Sequence, residues 1–236
     1  MAINIYWASL QDEWMRAEEP SSLSKTFYSR GIHDPSNPKL NLNYCPSFNK
    51  SLKNIFEIKS MYDYSFRIEE GKVISDLYDQ RFFDQHVVIR DVQKKAFSFI
   101  QETIFFTEED SLQMSSYQFP WLENNAITQR CMPIPGTFDI GKWFRNIEFP
   151  FILKGDFNEF EVNYGDVMYY VKFHTDEKIN FKQFIFDSKM MDYLGSSLAA
   201  NSNTNMGFSK GSMDTFYKLF RHKKRLIKDI KANLIK

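Results

Sequence analysis

His174-Thr175-Asp176 has the His-x-Asp spacing that non-haem iron oxygenases place at a strand end of a jelly roll, where two side chains can grip one ion. That chemistry needs a third ligand. The only later histidine is His222, flanked by Arg221 and Lys223, and neighbouring cations repel a metal ion. His86 comes earlier and would suit only another topology. His174 and Asp176 therefore stand as candidate metal ligands beside a favoured competing reading, a polar hairpin turn. In that reading Tyr170, Lys172 and His174 alternate to the open face, away from Val171 and Phe173.

A second candidate is the run Pro135-Gly136-Thr137-Phe138-Asp139-Ile140-Gly141-Lys142-Trp143-Phe144-Arg145. Two glycines bracket a short strand and allow sharp turns. Arg145 shares a strand face with Trp143, Ile147 and Phe149. A guanidinium among aromatic rings either pairs with a buried acid or meets an anionic ligand. Asp139, Glu148 and Glu123 are the candidate acids, and structural pairing is the favoured reading. The ligand reading puts Arg145, Trp143 and Tyr170 around one small-molecule pocket. Gly141-Lys142 is no phosphate loop, because Trp143 stands where that motif needs Ser or Thr.

Other catalytic sets are incomplete. No serine lies in Gly-x-Ser-x-Gly, and neither cysteine has a histidine placed by spacing. Cys45 and Cys131 are too isolated for a zinc site; buried inert thiols are favoured over a disulfide or a reactive thiol. Glu108-Glu109-Asp110 reads as a solvated cluster. No cofactor is expected.

The last residues are an interaction element. A helix is predicted over Asp214–Ile235, and on its wheel Met213 (just before it), Phe216, Leu219, Phe220, Leu226, Ile227, Ile230 and Leu234 share one arc of about 140°. Arg221, Lys224, Arg225 and Lys228 line the opposite face, and Lys223 falls inside the apolar arc. Residues 209–236 carry nine Lys/Arg against two Asp, a charge of +7, and the remainder carries −7. The favoured outcome is a helix packed on the acidic body with its charged back in solvent. Phosphate-backbone, partner-protein and membrane-surface docking are the alternatives.

These residues must be positioned by a mainly β body. The 236 residues include 24 Phe, 12 Tyr and 4 Trp, enough to fill a core without staples. Strands are predicted at Ile3–Ala8, Tyr62–Ile68, Val73–Ile74, Ala96–Phe106, Trp143–Leu153, Phe160–Tyr164, Val167–Phe173 and Ile179–Phe186. Turns at 69–72, 165–166 and 175–178 link some of them as hairpins. Ser9 and Asp12 form a capping-box spacing for a short helix ending at Pro20. Residues 20–50 read as a long irregular loop anchored by Phe27, Tyr28, Leu40, Tyr44 and Phe48. Ser188–Ala200 reads as a further helix. The predicted fold class is mainly β (α+β), an antiparallel β-sandwich or jelly-roll-like body over 1–187 with a helical appendage over 188–236. No signal peptide or run of about 18 apolar residues is seen, so a cytoplasmic protein without a transmembrane segment is expected.

The 135–145 run, Gly165-Asp166-Val167-Met168-Tyr169-Tyr170 and Ile5-Tyr6-Trp7 together resemble a group of uncharacterised proteins of tailed phages, especially marine ones. More faintly they are similar to a bacterial domain of unknown function. The resemblance covers about the middle half of the chain and implies a phage accessory or virion component, in host cytoplasm or virion, without assigning any residue a role. With the incomplete catalytic sets, it leads to a non-enzymatic interaction or assembly protein, with a protein partner or self-assembly favoured and nucleic acid as another partner class. The alternative is a cupin-like small-molecule binder or metal-dependent enzyme.

Overall fold

A computed structural model gives the fold and describes residues 2–10, 18–29, 44–70, 72–117, 126–195 and 223–235. Its first strand, β1 (Ala2–Ser9), is buried on both faces. Ile5 and Trp7 enter one apolar cluster, Tyr6 and Ala8 another. Burial on both sides explains why this stretch is dense in apolar residues instead of alternating.

The expected loop over 20–50 carries structure in its described parts: β2 (Ser21–Ser22), α1 (Leu23–Ser29) and α2 (Pro46–Ser51). Its anchors are Leu23, Leu52 and half-buried Phe48. Tyr44 is 71% exposed and anchors nothing. Ser9, the expected helix cap, ends β1 instead; Asp12 and Leu40 lie outside the described residues, as do the side chains of Phe27 and Tyr28.

The chain continues through β3 (Ile55–Lys59), β4 (Tyr64–Glu69), β5 (Lys72–Ile74), α3 (Gln80–His86), β6 (Val87–Asp91), β7 (Ala96–Thr107) and β8 (Gln113–Tyr117). After α4 (Ala126–Arg130) come β9 (Cys131–Pro133), β10 (Thr137–Asp139), β11 (Asn146–Leu153), β12 (Glu159–Val162), β13 (Val167–Phe173) and β14 (Lys178–Gln183). Residues 188–195 are helical (α5), and α6 spans Lys223–Ala232. Among the described residues these strands form three sheets. The first runs β14-β1-β7-β11-β9 with β6 also on β7; the second runs β10-β8-β13-β3-β2; the third is β12-β4-β5. Among the described strands every pairing is antiparallel except β14 on β1.

The first sheet faces the other two across a core made largely of rings. Phe97, Phe99, Phe149 and Phe151 from the first sheet meet Phe66 and Phe160 of the third and Tyr169 and Phe173 of the second. Phe66 and Phe160 stack at 5.1 Å between centroids, and Phe149 meets Tyr169 edge-on at 4.7 Å. Such geometries add stabilisation beyond area burial. The outer face of the first sheet is covered by α5 and α6 through Met190, Leu194, Leu226 and Ile230, which pack on Tyr6, Ile104 and Phe106. The fold is thus a sandwich-like, mainly β α+β structure with helices on its flanks.

Two expected hairpins are corrected. β12 pairs with β4 and β13 pairs with β3 and β8, so the Gly165-Asp166 turn passes between sheets. Gly165 N–H donates to Ser60 O (2.9 Å) and Ser60 N–H to Asp166 O (2.7 Å), which pins the crossing. Likewise β13 and β14 lie in different sheets, so the 174–178 segment is an arch. Local turn residues announce a reversal but not the partner strand. The β4–β5 hairpin forms as expected, with Glu70 at φ 48° in its turn.

Candidate functional site

The Pro135–Arg145 run is tied down at several points. Gly141 crosses the main chain so closely that a Cβ there would lie 2.2 Å from Glu109 O. Ile140 N–H donates to Leu112 O (2.9 Å) and Trp143 N–H to Asp139 O (2.8 Å). Asp139 binds Lys142 Nζ at 2.8 Å, and its other oxygen accepts from Gly141 N–H at 3.1 Å. Trp143 therefore sits in a turn, and the strand starts only at Asn146, a correction to the predicted strand start.

Arg145 is 6% exposed, with its guanidinium 4.5 Å from the Trp143 ring centroid. Its Nη2 lies 3.9 Å from Glu148 Oε1, while Glu148 Oε2 accepts from Arg90 Nη2. Arg90 Nε in turn donates to Ser98 Oγ at 2.6 Å. Of the acids named from the sequence, Glu148 is beside Arg145, Asp139 serves Lys142, and Glu123 lies outside the described residues. A bulge between Asn146 and Glu148 lets Arg145 and Glu148 approach despite their odd spacing.

Tyr170 does not join them. It packs with Leu23, Leu52, Ile55 and Val167 on the outer face of the second sheet. Trp143 meets Phe138, which packs against the central core on the opposite face. The pocket expected among Arg145, Trp143 and Tyr170 is therefore not assembled, because consecutive strand residues point to opposite faces.

His174 and Asp176 lie on the exposed arch between β13 and β14. His174 Nε2 is 2.8 Å from Ser115 Oγ, and Asp176 faces Lys53 at 3.6 Å. Asn54 Nδ2 donates to Thr175 O and Glu177 O, closing the arch. Among the described residues, no group of three His, Cys, Asp or Glu side chains converges as metal ligands.

On α6, Leu226 and Ile230 are fully buried, and Lys224, Arg225 and Lys228 face solvent. Arg221 lies outside the described residues. Lys223, the cation inside the apolar arc, reaches Glu109 O (2.6 Å) and Asp110 (3.7 Å). Burial pulls its ammonium below the ordinary lysine value against the opposing pull of Asp110. Lys231 binds Glu108 at 2.9 Å, and Tyr6 donates its hydroxyl to the same carboxylate. Burial pushes Tyr6 well above the usual phenol range, assisted by Glu108. The tail also pairs with the sheet: Phe184 bridges Leu234, and Ile235 N–H donates to Gln183 O at 2.9 Å.

A groove missed at the sequence level lies between β5 and β6, backed by α3. Its volume is about 600 Å³, and Lys72, Val73, Phe83, Val87, Val88 and Ile89 line it with Gln80 and Asp84. α3 itself was not expected; its sequence signal was Asp79, whose carboxylate caps Phe82 N–H at 3.0 Å. A smaller polar cleft of about 200 Å³ gathers Arg67, Asp76, Arg130, Glu159 and Glu161. Among the described residues, no helix is long and apolar enough to cross a membrane. No family model matches the chain, and no curated protein sequence matches it.

Proposed function

We propose that this chain is a non-enzymatic interaction or assembly protein, an accessory or virion-associated component of a tailed phage. The observation that carries the reading is the groove between β5 and β6, lined by Val73, Phe83, Val87, Val88 and Ile89 beside polar Lys72, Gln80 and Asp84 and flanked by two strands at sheet edges. Exposed strand edges are templates for a further strand, and proteins ordinarily cover or shorten them. The phage assignment and a host-cytoplasm or virion location draw on the sequence resemblance alone.

Gel filtration with light scattering tests it on the full-length chain, alone and with extract of the cells that make it. A defined oligomer or complex is expected; a monomer in both settings overturns the reading. The full chain is required because removing α6 would strip Leu226 and Ile230 from the outer sheet face.

Two other readings have single supports. The small-molecule or metal-dependent alternative draws on the polar cleft at Arg67 and Arg130, away from the residues the sequence suggested. Nucleic-acid contact draws on the solvent-facing Lys224, Arg225 and Lys228, and requires binding that weakens steeply with salt and vanishes when the three become Gln.

A further inference from the structure

Resting on that reading, we infer that the β5–β6 groove is a seat for one extended polypeptide segment that carries a carboxylate and hydrogen-bonds to both strand edges. The register decides where the free main-chain groups point. Ile68 N–H donates to Asn158 O at 2.9 Å, away from β5. Its partner across the hairpin, Val73, is therefore in a non-hydrogen-bonded pair and turns its N–H and C=O outward.

The opposite edge follows the same logic. Ile134 N–H donates to Pro150 O (2.8 Å), so Pro150 faces β9, and Phe149 and Phe151 face β7. Their partners Phe99 and Phe97 then use their main-chain groups on β11. Val87 and Ile89, opposite those residues on β6, are left to turn theirs away from β7. Val87 N–H is taken by Phe83 O at the end of α3. Val87 C=O and both groups of Ile89 remain without a partner among the described residues, facing the groove that Val73 also lines.

Main-chain donors and acceptors on two sides call for a strand, as in recognition by β-augmentation. Alternate side chains of such a segment would point at Val73, Phe83, Val87 and Ile89, so apolar residues suit those positions. At the rim, Asp84 accepts from Gln80 Nε2 at 2.8 Å, and exposed Lys72, like Asp84, has no ion pair among the described residues, so a carboxylate on the occupant is complementary at the Lys72 end alone. The occupant's carboxylate belongs opposite Lys72.

The test selects binders to the full chain from a ribosome-displayed library of random linear twelve-residue peptides. Enriched peptides are expected to alternate apolar residues and to carry Asp or Glu. A synthetic representative should lose at least tenfold in affinity for Lys72→Glu, an exposed change, and for Val73→Pro, which removes one outward donor at an edge where proline is tolerated. Circular dichroism confirms that each variant is folded. With peptide bound, the Val73 and Ile89 amides should exchange at least tenfold more slowly. Peptides that bind both variants as well as the parent, or slow exchange elsewhere, overturn the groove and leave the interaction reading standing. Failure to enrich any peptide also overturns it, while light scattering judges the broader reading independently.

Discussion

Tyr6 donates its hydroxyl to Glu108, 102 residues further along the chain, and the same carboxylate receives the Lys231 ammonium. One acid thus joins the first strand, the end of β7 and the terminal helix. Burial works to raise Glu108, but the hydrogen bonds from Lys231 and Tyr6, aided by the charge of Lys223, outweigh it and hold the group below its ordinary value.

A depressed folded-state pKa means that folding favours the ionised form. This contribution is complete above pH 4.5, the ordinary value, and is lost as pH falls through the folded-state pKa. Thermal unfolding followed against pH should show wild type losing stability across that acid window. Glu108→Gln should be about 1 kcal/mol less stable at neutral pH, a figure reduced for partial exposure, and flatter toward acid. Parallel pH profiles for the two proteins would contradict this.

Gly141→Ala should destabilise by more than about 2 kcal/mol, since the new methyl would meet backbone rather than a yielding side chain. Gly136→Ala is the control: its nearest neighbour would be the Phe138 ring at 3.7 Å. Urea unfolding of both separates close approach from the general effect of removing glycine.

Tyr169 buries a hydroxyl that has no hydrogen-bond partner among the described residues, and burial pushes its phenol far above the ordinary value. Removing the unpaired group spares its desolvation cost, so Tyr169→Phe should gain about 1 kcal/mol. Calorimetry on the pair decides it, and a loss of stability would be the adverse result.

The two cysteines should behave differently toward a thiol reagent. Cys131 is buried and its thiol is pushed up to about 12 by burial, which Lys154 and Arg130 only partly offset. Cys45 is exposed. Mass spectrometry after labelling at neutral pH should find Cys45 modified within minutes and Cys131 only after denaturation, because thiolate and access both set the rate.

Ile230→Ala should cost about 2–5 kcal/mol by opening a cavity against Tyr6 and Phe106. Lys228→Ala, on the solvent face of the same helix, should stay within about 0.5 kcal/mol. Equal effects in urea titrations would mean that α6 does not rest on the sheet through its apolar stripe.

Local periodicity made much of this protein legible. Period-two runs marked β4, β11 and β13, and the terminal stripe marked the face of α6 that buries Leu226 and Ile230. Those features depend on neighbours within a few residues, which sequence displays directly. Tertiary structure decided what depends on distant partners. It set β14 beside β1, moved Tyr170 to the face opposite Trp143, placed Glu148 beside Arg145 and left Cys45 in solvent. It also left the main-chain groups of Val73 and Ile89 facing a groove. Strand residues carry the same donors and acceptors whatever their neighbours, so only the assembled sheets determine which ones are used and which remain open.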